Sequence, residues 1–370
     1  MDITQPLALL GGLSPERFMQ RHWQKKPLLV RQAVPGFAPL LSRAELFALA
    51  AEEAVESRLV SQQGGWQLRR GPIARRSLPP LTQRQWTLLV QGVDLHDERV
   101  HALMRQFSFI PDARLDDVMI SYASDGGGVG PHFDSYDVFL LQAHGQRRWR
   151  IGRQKRLDLV DGLPLKILAD FQPEAEYLLS PGDMLYLPPR WAHDGVAEGE
   201  CMTYSIGFRQ PARGELAAEL LQRMAEEAGD LLGDTAYRDP QQPAVRTPAH
   251  VPEAMLDFAQ DALARALRAP DQLAMLLGEV LSEPKPNVWF ERREQGTGQG
   301  VALDRRTRML YDARHVFING ESFRASGRDA RLMRWLADNR RLSEAERAHL
   351  GADAAALLGQ WIDAGWAHDD

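Results

Sequence analysis

The sequence predicts an α+β protein whose core is an all-β barrel or a double-sheet jelly roll, followed by a helical region and a small winged-helix-like domain. Three observations predict it. Between Asp117 and Phe208, short runs of apolar β-formers alternate with turns bearing Gly and Pro. Beyond Pro211, apolar residues recur at helical spacing. Beyond Pro284-Lys285-Pro286, short strand patterns stand beside two or three short helices.

The first part of the chain is mixed. Ser14-Pro15-Glu16-Arg17 is a helix start, with Ser14 as N-cap and Pro15 at the first helical position, which turns Phe18 and Trp23 inward. Lys25 to Val30 reads as a short strand, Ala44 to Ala51 and Leu95 to Phe107 as helices, and the Gly- and Arg-rich segment from Gly64 to Arg76 as strand and loop. Val118 to Tyr122 opens the run of strands. Val138 to Gln142, His144-Gly145 and Arg147 to Ile151 read as a hairpin. Tyr177 to Leu179, the turn Ser180-Pro181-Gly182-Asp183 and Met184 to Leu187 read as another, and Met202 to Phe208 as a further strand. Glu215 to Ala228, Val251 to Leu267 and Gln272 to Leu281 are predicted helices whose apolar stripes serve a core or a subunit contact. In the last part, Asn319-Gly320 is a hairpin turn after His315 to Ile318. Helices follow over Asp329 to Asn339 and Ser343 to Ile362, the second opened by the capping box Ser343/Glu346, and the end is acidic with Asp363, Asp369 and Asp370.

The chain has 370 residues, 44% hydrophobic and 25% charged, which allows two or three globular domains. A net charge of −6 argues against a general nucleic-acid binder, which needs a basic field to hold phosphates, and is compatible with a basic protein as partner. The single cysteine, Cys201, rules out an intrachain disulfide and a thiolate zinc cluster; it reads as a small core residue in a reducing compartment. Met1 to Pro6 lacks the basic start and apolar run of a signal peptide, and no apolar run is long enough to span a bilayer. The expected location is the cytoplasm, without membrane contact.

The chemistry gathers in two stretches. His132 and Asp134 follow the glycine-rich turn Gly126-Gly127-Gly128-Val129-Gly130 and precede a strongly apolar strand; two residues apart on a strand, they leave the same face. His193 follows the rigid Pro188-Pro189-Arg190-Trp191-Ala192 turn. Two imidazoles and one carboxylate on one face, with other coordination positions free, suit non-haem Fe(II) and its oxygen chemistry. Tyr136, Asp137 and Asp194 are near enough in sequence to orient the imidazoles. The remaining histidines are scattered without ligand spacing.

Gly127 to Gln142, with Gly145-Gln146-Arg147-Arg148-Trp149 and Pro181-Gly182-Asp183, Pro188-Pro189 and His193, resembles the Jumonji-C oxygenases of the cupin superfamily, above all the bacterial ribosomal oxygenases. The resemblance reaches the Trp23 to Leu28 entry and both C-terminal segments. It implies a double-stranded β-helix catalytic domain over 1–210, a helical dimerisation region over 211–284 and a winged-helix-like domain over 285–370. It implies Fe(II) held by His132, Asp134 and His193, 2-oxoglutarate as co-substrate with dioxygen, and hydroxylation of an arginine in a large-subunit ribosomal protein.

On the same resemblance, Arg147 holds the far carboxylate of 2-oxoglutarate. Adjacent strand residues face opposite ways, so Arg148 points outward while Trp149 shares the face of Arg147. Ser121 and Ser205 are expected to help bind the co-substrate, and Asp125, Tyr136, Asp137 and Asp194 to flank the substrate guanidinium. Histidine hydroxylation, demethylation and a non-catalytic metal-binding regulator are the alternatives. No direct nucleic-acid contact is expected, although Arg328, Arg331, Arg334, Arg340 and Arg341 cluster.

Overall fold

Ser14 accepts the Arg17 N–H at 3.3 Å, and α1 (Pro15–Arg21) forms with Phe18 wholly buried, as its capping residues predict. The computed structural model describes residues 2–268, 270–292 and 300–369; Asp370 of the acidic end lies outside them. These residues form two units, Met1–Gln210 and Pro211–Asp370.

In the first unit, β1 (Leu28–Val30) is followed by α2 (Arg43–Leu49), which opens on a Ser42/Glu45 capping box. Then come β2 (Ser57–Ser61), β3 (Gln67–Arg70), β4 (Trp86–Val90), α3 (Glu98–Arg105), β5 (Leu115–Ala123), β6 (Val138–Arg153), β7 (Ala175–Leu179), β8 (Met184–Leu187) and β9 (Trp191–Phe208). The antiparallel order is β1-β8-β6-β9-β5-β4-β2-β3, with β7 also on β6.

Two long strands decide the architecture. β6 and β9 pair from Val138 with Gly207 to Arg153 with Trp191, and the register breaks between Gln142 and Gln146. At that irregularity both strands bend. Before it β6 pairs with β8 and β9 with β5, and after it β6 pairs with β7, so the neighbours of the long strands change at the irregularity. This is the double-stranded β-helix. Residues on alternate faces of β6 enter separate cores. Phe139 and Leu141 join Phe18, Tyr186 and Tyr204, while Val138, Leu140, Trp149 and Ile151 join Leu179, Leu185 and Leu187.

Three sequence expectations are corrected here. His144-Gly145 does not reverse the chain but forms the irregularity within one 16-residue strand. A glycine between two apolar runs signals a turn, and a bulge uses the same conformational freedom. The Ser180–Asp183 turn does not close a hairpin either; it carries the chain from β7, beside one half of β6, to β8, beside the other. Finally, β9 begins at Trp191 rather than Met202, so His193 stands on a strand and Arg190, at φ 65°, takes the turn.

Gly145 has φ 60°, and a Cβ there would lie 2.0 Å from the Glu200 carbonyl oxygen. Gly145→Ala is therefore expected to destabilise the catalytic unit by about 2–4 kcal/mol, measured as a lower urea midpoint. An unchanged midpoint would mean that the bend does not depend on this residue.

The second unit holds α4 (Arg213–Glu226), α5 (Ala228–Leu232), α6 (Glu253–Arg268) and α7 (Pro270–Ser282). After them come β10 (Val301–Leu303), β11 (Met309–Tyr311), β12 (His315–Ile318), β13 (Glu321–Arg324), α8 (Gly327–Asn339), β14 (Arg341–Leu342), α9 (Glu344–Arg347), α10 (Ala352–Asp363) and β15 (Ala367–Asp369). Asn319-Gly320 does join β12 to β13. The helix expected over Ser343 to Ile362 is two helices: the Ser343 capping box opens α9, and Gly351 caps α10 while its N–H donates to Asp329. Val301, Met309, Ile318, Met333, Leu336 and Trp361 form the core of this half. Among the described residues, no helix is long and apolar enough to cross a membrane.

Candidate active site

His132 lies in an extended segment rather than in a regular strand, and a single β-bridge joins it to His193 on β9. The His132 N–H donates to the His193 carbonyl at 3.0 Å, and the His193 N–H returns the bond at 2.8 Å. This narrow pair sets the imidazole centroids 4.3 Å apart on one face. The Asp134 carbonyl accepts the Arg190 N–H at 2.8 Å, which ties the carboxylate-bearing residue to the turn before β9.

Each imidazole Nδ1 faces a backbone carbonyl, His132 that of Gly130 and His193 that of Trp191, both at 2.9 Å. A carbonyl only accepts, so each Nδ1 carries a proton, which leaves Nε2 of each ring as the atom that would meet a metal. One ligand atom from each of His132, Asp134 and His193 lies within 4.8 Å of the others. Burial, and then the neighbouring His132, lower the pKa of His193. The imidazole is thus held neutral, as a metal ligand must be. These carbonyls, and not Tyr136, Asp137 or Asp194, orient the two rings.

Arg147 points inward from β6 and is buried, as the alternation argument requires; Arg148 points outward into ion pairs with Glu176 and Glu198. Arg147 donates through Nη1 to Ser121 Oγ and through Nη2 to the Gly195 carbonyl, both at 3.1 Å, and its guanidinium lies 5.0 Å from the Trp149 ring centroid. Its buried Nε has no partner, and no carboxylate among the described residues pairs with it. A buried cation with a spare donor and no counter-charge is a site built for an anion. Gly195 keeps that space clear, since a Cβ there would approach Arg147 Nε to 2.8 Å and Trp149 to 2.6 Å. Gly195 stands two residues after His193, so one strand carries both a candidate metal ligand and the carbonyl that holds Arg147.

The other predicted residues divide. Ser121 is tied to Arg147. Ser205 lies opposite Leu140 in register, on the same face, but makes no bond to Arg147. Thr203, which sequence reasoning passed over, bonds Gln142 at 2.9 Å in that layer. Tyr136 is 40% exposed, and its hydroxyl is raised in pKa by burial and then by the carboxylates of Asp134 and Asp117. Asp117, also passed over, is buried and accepts from Gln91 Nε2 at 2.8 and 3.0 Å. It stands with Asp116 at the head of an apolar strand, and no signal in the sequence separates the buried carboxylate from its neighbour.

Three acidic residues expected beside substrate have partners within the chain. Asp137 is fully enclosed and accepts from Tyr186 at 2.6 Å and Gln24 at 3.1 Å, beside Arg114. Asp194 follows His193 on β9, so it faces the other way, into an ion pair with Arg150. Asp125 bonds the Gly199 N–H at 2.9 Å and pairs with Arg84 at 2.7 Å.

Residues 102–216 match the JmjC domain family and residues 259–368 the ROXA-like winged helix. Over 332 residues, 85% of this chain and 86% of the relative, the sequence is 36% identical to the ribosomal protein uL16 3-hydroxylase of Escherichia coli strain K12. The chain belongs to the JmjC ribosomal oxygenase family. A probable ribosomal oxygenase of Haemophilus influenzae is 36% identical over 204 residues, 54% of this chain and 50% of that one. The crystal structure of Escherichia coli YcfD superposes with a TM-score of 0.83 at 32% identity, covering 95% of this chain and 97% of the other. A structure of the same ribosomal oxygenase in complex with cobalt and 2-oxoglutarate gives 0.80, covering 96% and 98%. The JmjC match of this ribosomal oxygenase takes in His132, Asp134, Arg147 and His193.

Proposed function

We propose that this chain is an Fe(II)- and 2-oxoglutarate-dependent dioxygenase that hydroxylates an arginine side chain of a large-subunit ribosomal protein, with uL16 as the first candidate. The observation that carries the reading is the pairing of two donor sets. His132, Asp134 and His193 offer two imidazole Nε2 atoms and one carboxylate with positions left free for other ligands. Arg147 offers a buried cation with an unused N–H. The first set fits a divalent iron, and the second fits the distal carboxylate of a five-carbon keto diacid.

Bound iron with 2-oxoglutarate and dioxygen supplies oxidising power sufficient to hydroxylate an unactivated carbon. The chain's own residues do the rest. The Gly130 and Trp191 carbonyls hold the imidazole protons on Nδ1. Arg147, braced by Ser121 and the Gly195 carbonyl, orients the co-substrate. Trp149 and the apolar inner layer of β6 and β8 keep water out. Tyr136 offers an exposed aromatic face within the field of Asp134 and Asp117, which suits a guanidinium. Incubating the enzyme with Fe(II), 2-oxoglutarate and purified uL16 is expected to add the mass of one oxygen atom to an arginine-containing peptide. Loss of a methyl mass would favour demethylation, and oxygen on a histidine would favour histidine hydroxylation.

The segment 211–284 acts, in this reading, as the dimer-forming region between the catalytic domain, 1–210, and a winged-helix-like docking domain, 285–370. Met255, Leu256, Phe258 and Leu263 on α6 and Leu221 on α4 are exposed in the single chain. Covering such side chains stabilises by about 1.5–3 kcal/mol each when burial is complete. Sedimentation is expected to show a dimer that the double substitution Leu256→Glu/Leu263→Glu converts to monomers. A monomeric wild type would remove the assignment. The cytoplasm, where ribosomal proteins are made, is the proposed location.

A further inference from the structure

The charge of the catalytic unit is sharply segregated. From Ser57 to Val93 the chain carries Arg58, Arg69, Arg70, Arg75, Arg76 and Arg84 and no Asp, Glu or Lys, in a protein of net charge −6. Two of these arginines are compensated: Arg58 reaches Glu56 at 4.0 Å, and Arg84 pairs with Asp125. Arg69, Arg70, Arg75 and Arg76 are exposed, and none is in an ion pair among the described residues.

The fold brings the four together. β3 is the last strand of its sheet, so Arg69 and Arg70 lie on a free edge. Arg69 Nη2 donates to the Ser77 carbonyl at 3.0 Å, which draws the short helical turn Arg75–Ser77 against the strand. Arg70 also stands directly across from Arg58 in the β2–β3 register. Like charges in that relation destabilise a sheet, and Glu56 offsets only the Arg58 side of the pair. A lone charge on an edge strand is enough to block edge-to-edge pairing. Four uncompensated arginines with a like-charged cross-strand neighbour exceed what that role needs.

The patch adjoins the candidate active site. Gln62 Nε2 donates to the Gly128 carbonyl at 3.4 Å, and Trp66 packs so closely on Gly130 that a Cβ there would lie 3.2 Å from its ring. The β2–β3 hairpin therefore leans on the backbone that presents His132.

We infer that the edge strand β3 and the Arg75–Ser77 turn form a binding surface for the phosphate backbone of RNA beside the candidate active site. The choice of partner rests on the proposed ribosomal-protein substrate. Such a protein is itself basic and is repelled by four arginines, whereas the ribosomal RNA it binds is a polyanion that matches them. Guanidinium forks grip phosphate oxygens in pairs, and contacts of this kind hold a backbone without reading its sequence. The expectation of no nucleic-acid contact, drawn from total charge, is revised because total charge conceals this segregation.

The test is fluorescence anisotropy of a labelled single-stranded RNA of mixed sequence, titrated with the full-length protein. Four phosphate contacts predict a slope of log affinity against log salt of about −3, hence roughly fiftyfold weaker binding at about 200 mM than at about 50 mM salt. The variant Arg69→Glu/Arg70→Glu/Arg75→Glu/Arg76→Glu is expected to weaken binding at least about tenfold at low salt and to flatten the slope, and the Gln series to shift it the same way. Arg314→Glu/Arg331→Glu, in the other unit, should leave binding intact. The inference is overturned if wild type does not bind RNA, if the fourfold variants bind like wild type, or if the Arg314/Arg331 pair accounts for the affinity. Displacement by poly-glutamate as readily as by RNA overturns it too, in favour of an acidic polypeptide. Hydroxylation of a short uL16 peptide is measured in parallel. Its failure in wild type would count against the proposed function without touching the RNA signal, and its loss only in the fourfold variants would reassign the arginines to the peptide.

Discussion

Replacing His132, Asp134 or His193 by alanine is expected to abolish substrate-coupled 2-oxoglutarate turnover, a loss of at least ~10³-fold, about 4 kcal/mol of barrier. Each residue supplies one of three donors, and two remaining donors do not hold a divalent ion against water at working concentrations. The substitutions should leave the fold in place. The bond pair between His132 and His193 is made by backbone atoms, as is the link from Arg190 to Asp134, so truncating the side chains breaks none of them. Circular dichroism and thermal melting without metal should resemble wild type, while the stabilisation that added Fe(II) or Co(II) gives wild type disappears. Asp134→Asn is the sharper variant, since it keeps size and removes only the charge. Full turnover in any of these variants would sink the metal assignment.

Arg147→Met should act on the co-substrate rather than the metal. Truncating one partner of a buried, hydrogen-bonded charge pair costs about 2–5 kcal/mol, which predicts a 2-oxoglutarate KM raised by roughly 30- to 4,000-fold. The rate at saturating co-substrate should fall much less, and Arg147→Lys should recover only part of the affinity, because an ammonium does not reproduce the planar fork. The effect on the protein without co-substrate has the opposite sign. Arg147 is a buried charge with an unpartnered Nε, so an apolar side chain of similar length is neutral or stabilising there. Melting with and without 2-oxoglutarate reads both signs at once: the variant starts as high as wild type or higher and gains nothing from ligand. Arg148→Ala, which removes an exposed cation bonded to Glu176 and Glu198, should change neither quantity appreciably. If Arg148 proves to control co-substrate affinity, the inward–outward assignment on β6 is wrong.

Much of the chain was legible as sequence wherever the governing interactions are local. Ser14 and Ser343 cap helices because a side-chain oxygen three residues before a free N–H needs no distant partner. Asn319-Gly320 turns a hairpin for a similarly local reason. The opposite facing of Arg147 and Arg148 follows from strand alternation alone, and it held. The judgements that failed each depended on a distant strand. His144-Gly145 looked like a turn because nothing nearby reveals that Glu200 crosses it. His193 looked like a turn residue because the partner that makes β9 a strand there is β6, far back in the chain. Asp137 and Asp194 looked like substrate contacts because closeness in sequence says nothing about which face of a sheet a carboxylate takes.

Residue identity and spacing alone therefore determined the donor chemistry, two imidazoles and a carboxylate, and a jelly-roll-like succession of strands to carry them; the cation on the following strand came from the family resemblance. Only the tertiary structure decided which atoms do the work. It placed His132 beside His193, protonated both rings on Nδ1 through the Gly130 and Trp191 carbonyls, and left Arg147 with an unmet donor. It also enclosed Asp137 and gathered four arginines on a free edge. The reason is that coordination, desolvation and hydrogen-bond direction depend on atoms meeting across the antiparallel pairing of β6 and β9, and that pairing brings together residues the chain keeps tens of positions apart.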